Sequence, residues 1–280
     1  MQVSLNELSQ VKGIGKKTIQ RIREYKLANE GYISEYDKSL HLDRNSVNQG
    51  DCLELMNGIP DKSVDMILAD LPYGTTACKW DSIIDLDKLW LQYERIIKDN
   101  GAIVLTASQP FTTKLINSNL TLFKYCWYWN KKIPSGMNYC KSQPMRQIEE
   151  VVVFGKSKTK YNAQMVKRDK AIKGGGMSNS NSAATKGYKA LKKTYDYKYP
   201  INLIKYQKIR QKSNHPTEKP VNLFEYLIKT YTNKGDLVLD NTAGSGTTGV
   251  ACQNTDRDYI LIEQEEEYIN VIKDRLAGDE

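Results

Sequence analysis

From residue 45 onward, short apolar runs alternate with stretches whose apolar residues recur at helical spacing. "SVDMILAD" (63–70), "AIVLTA" (102–107), "LVLDNTAG" (237–244) and "YILIEQ" (259–264) predict buried strands. Helices are predicted at about 86–98, 111–118 and 220–232, from about 246, and in the acidic stretch after 264. Such alternation specifies parallel βαβ units, so the fold class is α/β with a mostly parallel sheet. "YCWYWNKK" (125–132) and "EEVVVFGK" (149–156) add an antiparallel edge hairpin. Two regions break the rhythm. Residues 5–27 predict two short helices around "KGIG", and 157–213 contain "KGGGMSNSNSAATKG", a Gly/Ser-rich loop too polar for a core.

Composition changes this picture in one place. The net charge of the 280 residues is +8, yet 151–220 holds 17 Lys+Arg against 3 Asp+Glu, and the remainder is negative overall. Tyr161, Tyr188, Tyr195, Tyr197, Tyr199 and Tyr206 are interleaved with that basic block. Cations pair with phosphates and aromatic faces stack on bases, so the segment suits a polyanion; the plain alternative is a solvated lysine-rich loop. No run reaches the roughly 18 apolar residues of a membrane span, and the first residues lack the apolar core of a signal peptide, which predicts a cytoplasmic protein. Five cysteines form no CxxC pair and only His41 and His215 accompany them, so no metal site is expected.

The candidate chemistry lies at two strand ends. "LVLDNTAGSGTTGVA" (237–251) is a strand, an acid, a glycine turn and a helix start. Its glycines let the backbone approach a ligand, and Glu263, about twenty residues on, stands where an acid hydrogen-bonds ribose hydroxyls. Val250 follows Gly249 where a phosphate-binding loop needs lysine, and Asp240 would repel a pyrophosphate. A nucleoside cofactor carrying positive charge fits better. The other strand end, "ADLPYG" (69–74), closes an apolar run on an acid, a proline and a tyrosine.

"DLPYG", "HPTEKP" (215–220) and "DNTAGSGTT" (240–248), in that order, resemble the amino-methyltransferases that modify exocyclic nitrogens in DNA, in the arrangement with the catalytic motif first. The resemblance spans about 47–276 and implies a Rossmann-like class I methyltransferase that uses S-adenosylmethionine on double-stranded DNA. It assigns Asp240, Thr242, Gly244, Gly246 and Thr247 to the cofactor turn, Glu263 to the ribose and Asp51 of "GDCLELM" to the cofactor adenine. His215, Thr217 and Lys219 become candidates for closing over the methionine end. "WNKK" and the "EE" before "VVVFGK" resemble the region supporting the target-base pocket. The family's usual proline is Leu71 here; the position is expected to act through its carbonyl, which leucine also has, and Pro72 keeps Leu71 extended.

The catalytic set is then Asp70, Leu71, Pro72 and Tyr73. An exocyclic amine is a poor nucleophile because its lone pair is delocalised. Asp70 and the Leu71 carbonyl each accept one amino hydrogen while Tyr73 stacks on the base, with no covalent intermediate. The target must leave the duplex to be reached. Residue 70 is Asp where cytosine-N4 members more often have Ser, which favours N6 of adenine; cytosine-N4 transfer, an RNA substrate and a non-catalytic DNA-binding protein are the alternatives. "LSQVKGIGKKTIQRI" (8–22) resembles a helix-hairpin-helix, in which Gly13, Gly15, Lys16 and Lys17 face a DNA phosphate; the plain alternative is a helical hairpin that only packs on the catalytic domain. The expected organisation is that module at 1–30, a linker at 31–46, a catalytic half at 47–156, a basic target-recognition insertion at 157–213 and a cofactor half at 214–280.

Overall fold

The computed structural model describes Thr18, Ile22 and residues 36–74, 82–173, 194–208 and 218–278. The order is β1 (Ser46–Gln49), α1 (Cys52–Leu55), β2 (Val64–Ala69), α2 (Leu86–Ile96), β3 (Ile97–Ala107), α3 (Phe111–Ser118), β4 (Phe123–Ser135) and β5 (Arg146–Phe154). It continues with β6 (Val166–Lys173), β7 (Thr194–Lys198), β8 (Leu203–Lys205), α4 (Val221–Tyr231), β9 (Leu237–Asp240), α5 (Thr247–Gln253), β10 (Asp258–Glu263) and α6 (Glu266–Ala277). Every strand and helix expected from periodicity between 63 and 156 and beyond 218 is present, within a few residues at its ends.

Among the described residues the main sheet has eight strands in the order β1-β10-β9-β2-β3-β5-β4-β8. Pairing is parallel from β1 to β3; β5 runs antiparallel to both β3 and β4, and β8 lies parallel beside β4. The expected hairpin therefore forms, but β8 and not the hairpin closes that edge. Strand residues alternate between two apolar layers, because successive side chains point to opposite faces. Ile67, Ile103, Leu105, Leu239 and Ile262 pack with Leu89, Trp90 and Tyr93 of α2 and Phe111 of α3. Met66, Leu68, Val104, Val238 and Leu261 pack with Leu223, Leu227 and Ile228 of α4, Ala251 of α5 and Ile272 of α6. Helices cover both faces, which explains why the strands read as continuous apolar runs.

Residues 163–201 form a separate compact unit whose described part is the antiparallel β6–β7 ribbon. This unit is narrower than 157–213. Ser157 donates to the Asp99 carbonyl, Lys160 pairs with Asp236, and Asn162 bonds the C-terminal end of α4, so 157–162 belong to the main body. Residues 202–208 do too, through β8 and the bond from Lys208 N to the Lys131 carbonyl.

The decisive topological feature lies between β2 and β9. The crossover after β9 leads to β10 on one side, and the crossover after β2 leads to β3 on the other. Neighbouring strands whose connections diverge leave a crevice at their carboxyl ends, where open α/β sheets bind ligands. Both motif-bearing strands end there, Met66 opposite Val238 and Ile67 opposite Leu239. At the far end, buried Asp65 of β2 accepts from Leu237 N of β9 at 3.1 Å and pairs with Lys98 at 2.7 Å, fixing the two strands together.

Candidate active site

A cavity of about 400 Å³ opens at this crevice, and the "ADLPYG" and "DNTAGSG" turns both line it. They touch directly: the Thr242 hydroxyl donates to the Asp70 carbonyl at 3.2 Å. Eight carboxylates and two lysines lie among the lining residues, so the cavity favours a cation.

On the β9 side, Gly246 (φ +80°) is the N-cap of α5 in the left-handed region, which favours glycine, and a Cβ there would crowd the Ile272 side chain at 3.0 Å. Gly244 N donates to Glu263 Oε2 at 2.7 Å, and Glu263 Oε1 accepts from Gln264 N and Glu265 N. Burial still raises the Glu263 carboxyl above its ordinary value. Asp240 is 3% exposed; it accepts from Thr242 N at 3.1 Å and from the Thr248 hydroxyl. Burial outweighs both bonds and pushes its carboxyl up to about 7, with the Asp70 and Glu263 charges adding to the rise. Asp51 caps α1, accepting from Leu53 N at 2.7 Å at the cavity's edge.

On the β2 side, Asp70 follows the last strand residue. Its Oδ1 accepts from the Tyr73 hydroxyl at 2.9 Å and from the Thr106 hydroxyl, and its Oδ2 pairs with Lys219 Nζ at 2.6 Å. Burial, then the Asp70 charge, raise the Tyr73 phenol, which stays protonated and donates. Its ring stacks on Phe111 at 5.2 Å and 22°, with Lys219 Nζ 5.8 Å from its centroid. Leu71 is 3% exposed and packs in the core with Leu89 and Trp90 of α2, while also lining the cavity. Trp129 and Glu149, opposite each other in the β4–β5 ladder, complete this side, and Glu149 pairs with buried Lys131 at 2.9 Å.

Lys219 faces both turns. Its carbonyl accepts from the Thr247 hydroxyl at 3.4 Å, on the cofactor-turn side, while its ammonium reaches Asp70. Burial lowers the lysine's affinity for its proton, but the Asp70 and Glu149 carboxylates outweigh it and the shift is upward. Next to it, Glu218 forms a buried ion pair with Arg275 of α6 at 2.9 Å, and Arg275 also donates to the Ser245 carbonyl at 2.7 Å. The pair ties the 218–220 segment, α6 and the glycine turn together. Glu218 lies within "HPTEKP" but was given no role, and Thr106 and Arg275 belong to no motif; the signal for Thr106 was a polar residue inside the apolar run "AIVLTA". Gly13, Gly15, Lys16, Lys17, His215 and Thr217 lie outside the described residues.

Comparison with known proteins agrees with this geometry. The N6_N4_Mtase family, described as "DNA methylase", matches residues 64–274. The type II methyltransferase M2.MboI of Moraxella bovis is 28% identical over 87% of this chain and 90% of its own length. The DNA adenine methyltransferase YhdJ of Escherichia coli (strain K12) is 29% identical, covering 82% of each chain. Among solved structures, the M1.HpyAVI–SAM complex superposes with a TM-score of 0.56 at 26% identity, covering 82% of this chain and 99% of that one. The catalytic and cofactor motifs, their meeting at one crevice and a family match across three quarters of the sequence lead to one conclusion: the chain belongs to the N6_N4_Mtase family of DNA methylases.

Proposed function

We propose that this enzyme transfers a methyl group from S-adenosylmethionine to the N6 amine of an adenine turned out of double-stranded DNA. The observation that carries the reading is the single cavity shared by Asp70 and Asp240, with Thr242 bridging the two turns. S-adenosylmethionine, when bound, supplies an electrophilic methyl on a positively charged sulfur. The acid-rich wall, with buried Asp240 and the turn of Gly244 and Gly246, suits its positive charges; Thr242 and Thr247 hold that turn to the catalytic side. Glu263 serves the ribose and Asp51 the adenine, with His215 and Thr217 closing the methionine end.

The chain's own residues do the rest by positioning. Asp70 and the Leu71 carbonyl each accept a hydrogen bond from the amine and hold its nitrogen closer to tetrahedral, so that the lone pair leaves conjugation with the ring and points at the methyl; Pro72 keeps the bend, and Tyr73 stacks on the base. Trp129 and Glu149 stand where the base enters. The β6–β7 ribbon belongs to a unit with nine Lys+Arg and two Asp, and Tyr197 and Tyr199 on it are 53% and 74% exposed. We assign it to target recognition, and the 1–30 hairpin with Gly13, Gly15, Lys16 and Lys17 to the phosphate backbone. Hydrolysing treated duplex DNA and identifying the modified nucleoside by mass tests the assignment: N6-methyladenine is expected, and N4-methylcytosine alone replaces it with the cytosine reading.

Asp240 adds a pH signature. Its carboxyl sits near 7 in the free protein, and a cationic ligand binds its ionised form. Affinity for S-adenosylmethionine should therefore rise about tenfold between pH 5.5 and 7, with release of a proton on binding. Calorimetry in two buffers of different ionisation enthalpy measures both quantities. A flat affinity with no proton release removes Asp240 from contact with the ligand's charge.

A further inference from the structure

Asp70 begins with most of its acceptor capacity in use. An ionised carboxylate offers about four lone-pair directions. Tyr73 and Thr106 hydroxyls take both directions on Oδ1, and Lys219 takes one on Oδ2. Among the described residues, one direction remains. Thr106 belongs to none of the motifs: it is a fully buried residue near the end of β3, opposite Val151 of β5, and 36 positions from Asp70. The Tyr73 hydroxyl also lies 3.3 Å from Thr106 Oγ1, so the three groups close a ring around one carboxylate oxygen.

We propose that Thr106 is a positioning residue for methyl transfer: with Tyr73 it fills Asp70 Oδ1, so that the target amine is accepted by Oδ2 alone, beside Lys219. The proposal rests on the reading of Asp70 as amine acceptor. A carboxylate torsion is broad, and only its bonds fix which oxygen faces the substrate. Without the Thr106 hydroxyl, Oδ1 gains an open direction and competes for the amine. The nitrogen is then held in two orientations, one of them misaligned with the methyl donor. An offset of about 1 Å at such a point costs up to about 10²-fold in rate. The second amine hydrogen needs a different acceptor in any case, because Asp70 has room for one; the Leu71 carbonyl, at the same wall, is the nearest candidate in sequence.

Thr106→Val keeps the shape and removes the hydroxyl, and Thr106→Ser keeps the hydroxyl. Single-turnover methyl transfer at saturating S-adenosylmethionine and duplex, both dissociation constants and the unfolding midpoint are measured for each. The expected result is a rate about 10- to 100-fold lower for Val with both dissociation constants within about threefold of wild type, and a Ser rate within about threefold. A Val rate equal to wild type overturns the proposal. So does an equal loss in folded Val and Ser proteins, which would mean packing alone matters, or a Val loss matched by weaker cofactor binding. If Val does not fold, Ser against Thr106→Ala repeats the comparison at smaller volume, with the same readings. A wild-type protein that methylates neither base would instead refute the function itself.

Discussion

Asp70→Ala is expected to bind S-adenosylmethionine with near-wild-type affinity and to transfer methyl groups at least about 10³-fold more slowly. Its carboxylate bonds Tyr73, Thr106 and Lys219, whereas the bonds from Gly244, Gln264 and Glu265 that hold Glu263 involve none of these groups. The variant also removes the carboxylate 2.6 Å from Lys219, whose side chain is 8% exposed. Breaking one partner of a buried ion pair costs on the order of 3 kcal/mol, so a lower unfolding midpoint accompanies the lost rate. Two further proteins separate these effects. Asp70→Asn keeps the shape and should remain inactive, and Asp70→Ala with Lys219→Met should recover stability without recovering rate. Near-normal transfer by either single variant would remove Asp70 as the amine acceptor.

The second large effect is expected at Glu218. Its side chain and that of Arg275 are 5% and 7% exposed, and their ion pair joins the segment before α4 to the last helix and, through Ser245, to the glycine turn. Glu218→Ala should destabilise the protein by about 3 kcal/mol, a fall of roughly 6–12 °C in Tm for a chain of this size. Because Glu218 also lines the cavity, cofactor affinity should fall with it. Differential scanning calorimetry with and without S-adenosylmethionine reads both. An unchanged Tm would show that solvent already screens the pair.

Much of the architecture was legible because burial on both faces makes strands into apolar runs that periodicity detects; β2, β3, β5, β9 and β10 are such runs. The four residues of β1 are too few and too polar to carry a pattern and the three of β8 are too few, and β6 and β7 lie in a polar, basic insertion where neither face is buried. The two bends were legible because their chemistry is compressed into consecutive residues. Partnerships across the chain were not. Thr106 meets Asp70 36 positions away, and Arg275 meets Ser245 30 positions away, and no local spacing encodes either contact. Lys219 shows the intermediate case. Its motif made it a candidate for the cofactor's methionine end; its carbonyl meets Thr247 of the glycine turn, and the direction of its ammonium followed from the fold alone.

The Glu263 carboxylate has a wider consequence. It accepts three backbone N–H groups, from Gly244, Gln264 and Glu265, all supplied by the chain itself. The glycine bend is thus preorganised: its conformational entropy is lost when the polypeptide folds rather than when the nucleoside arrives. Tight association at this end of the crevice then requires little backbone adaptation, which leaves conformational adjustment to the β2 side, around Asp70 and Tyr73.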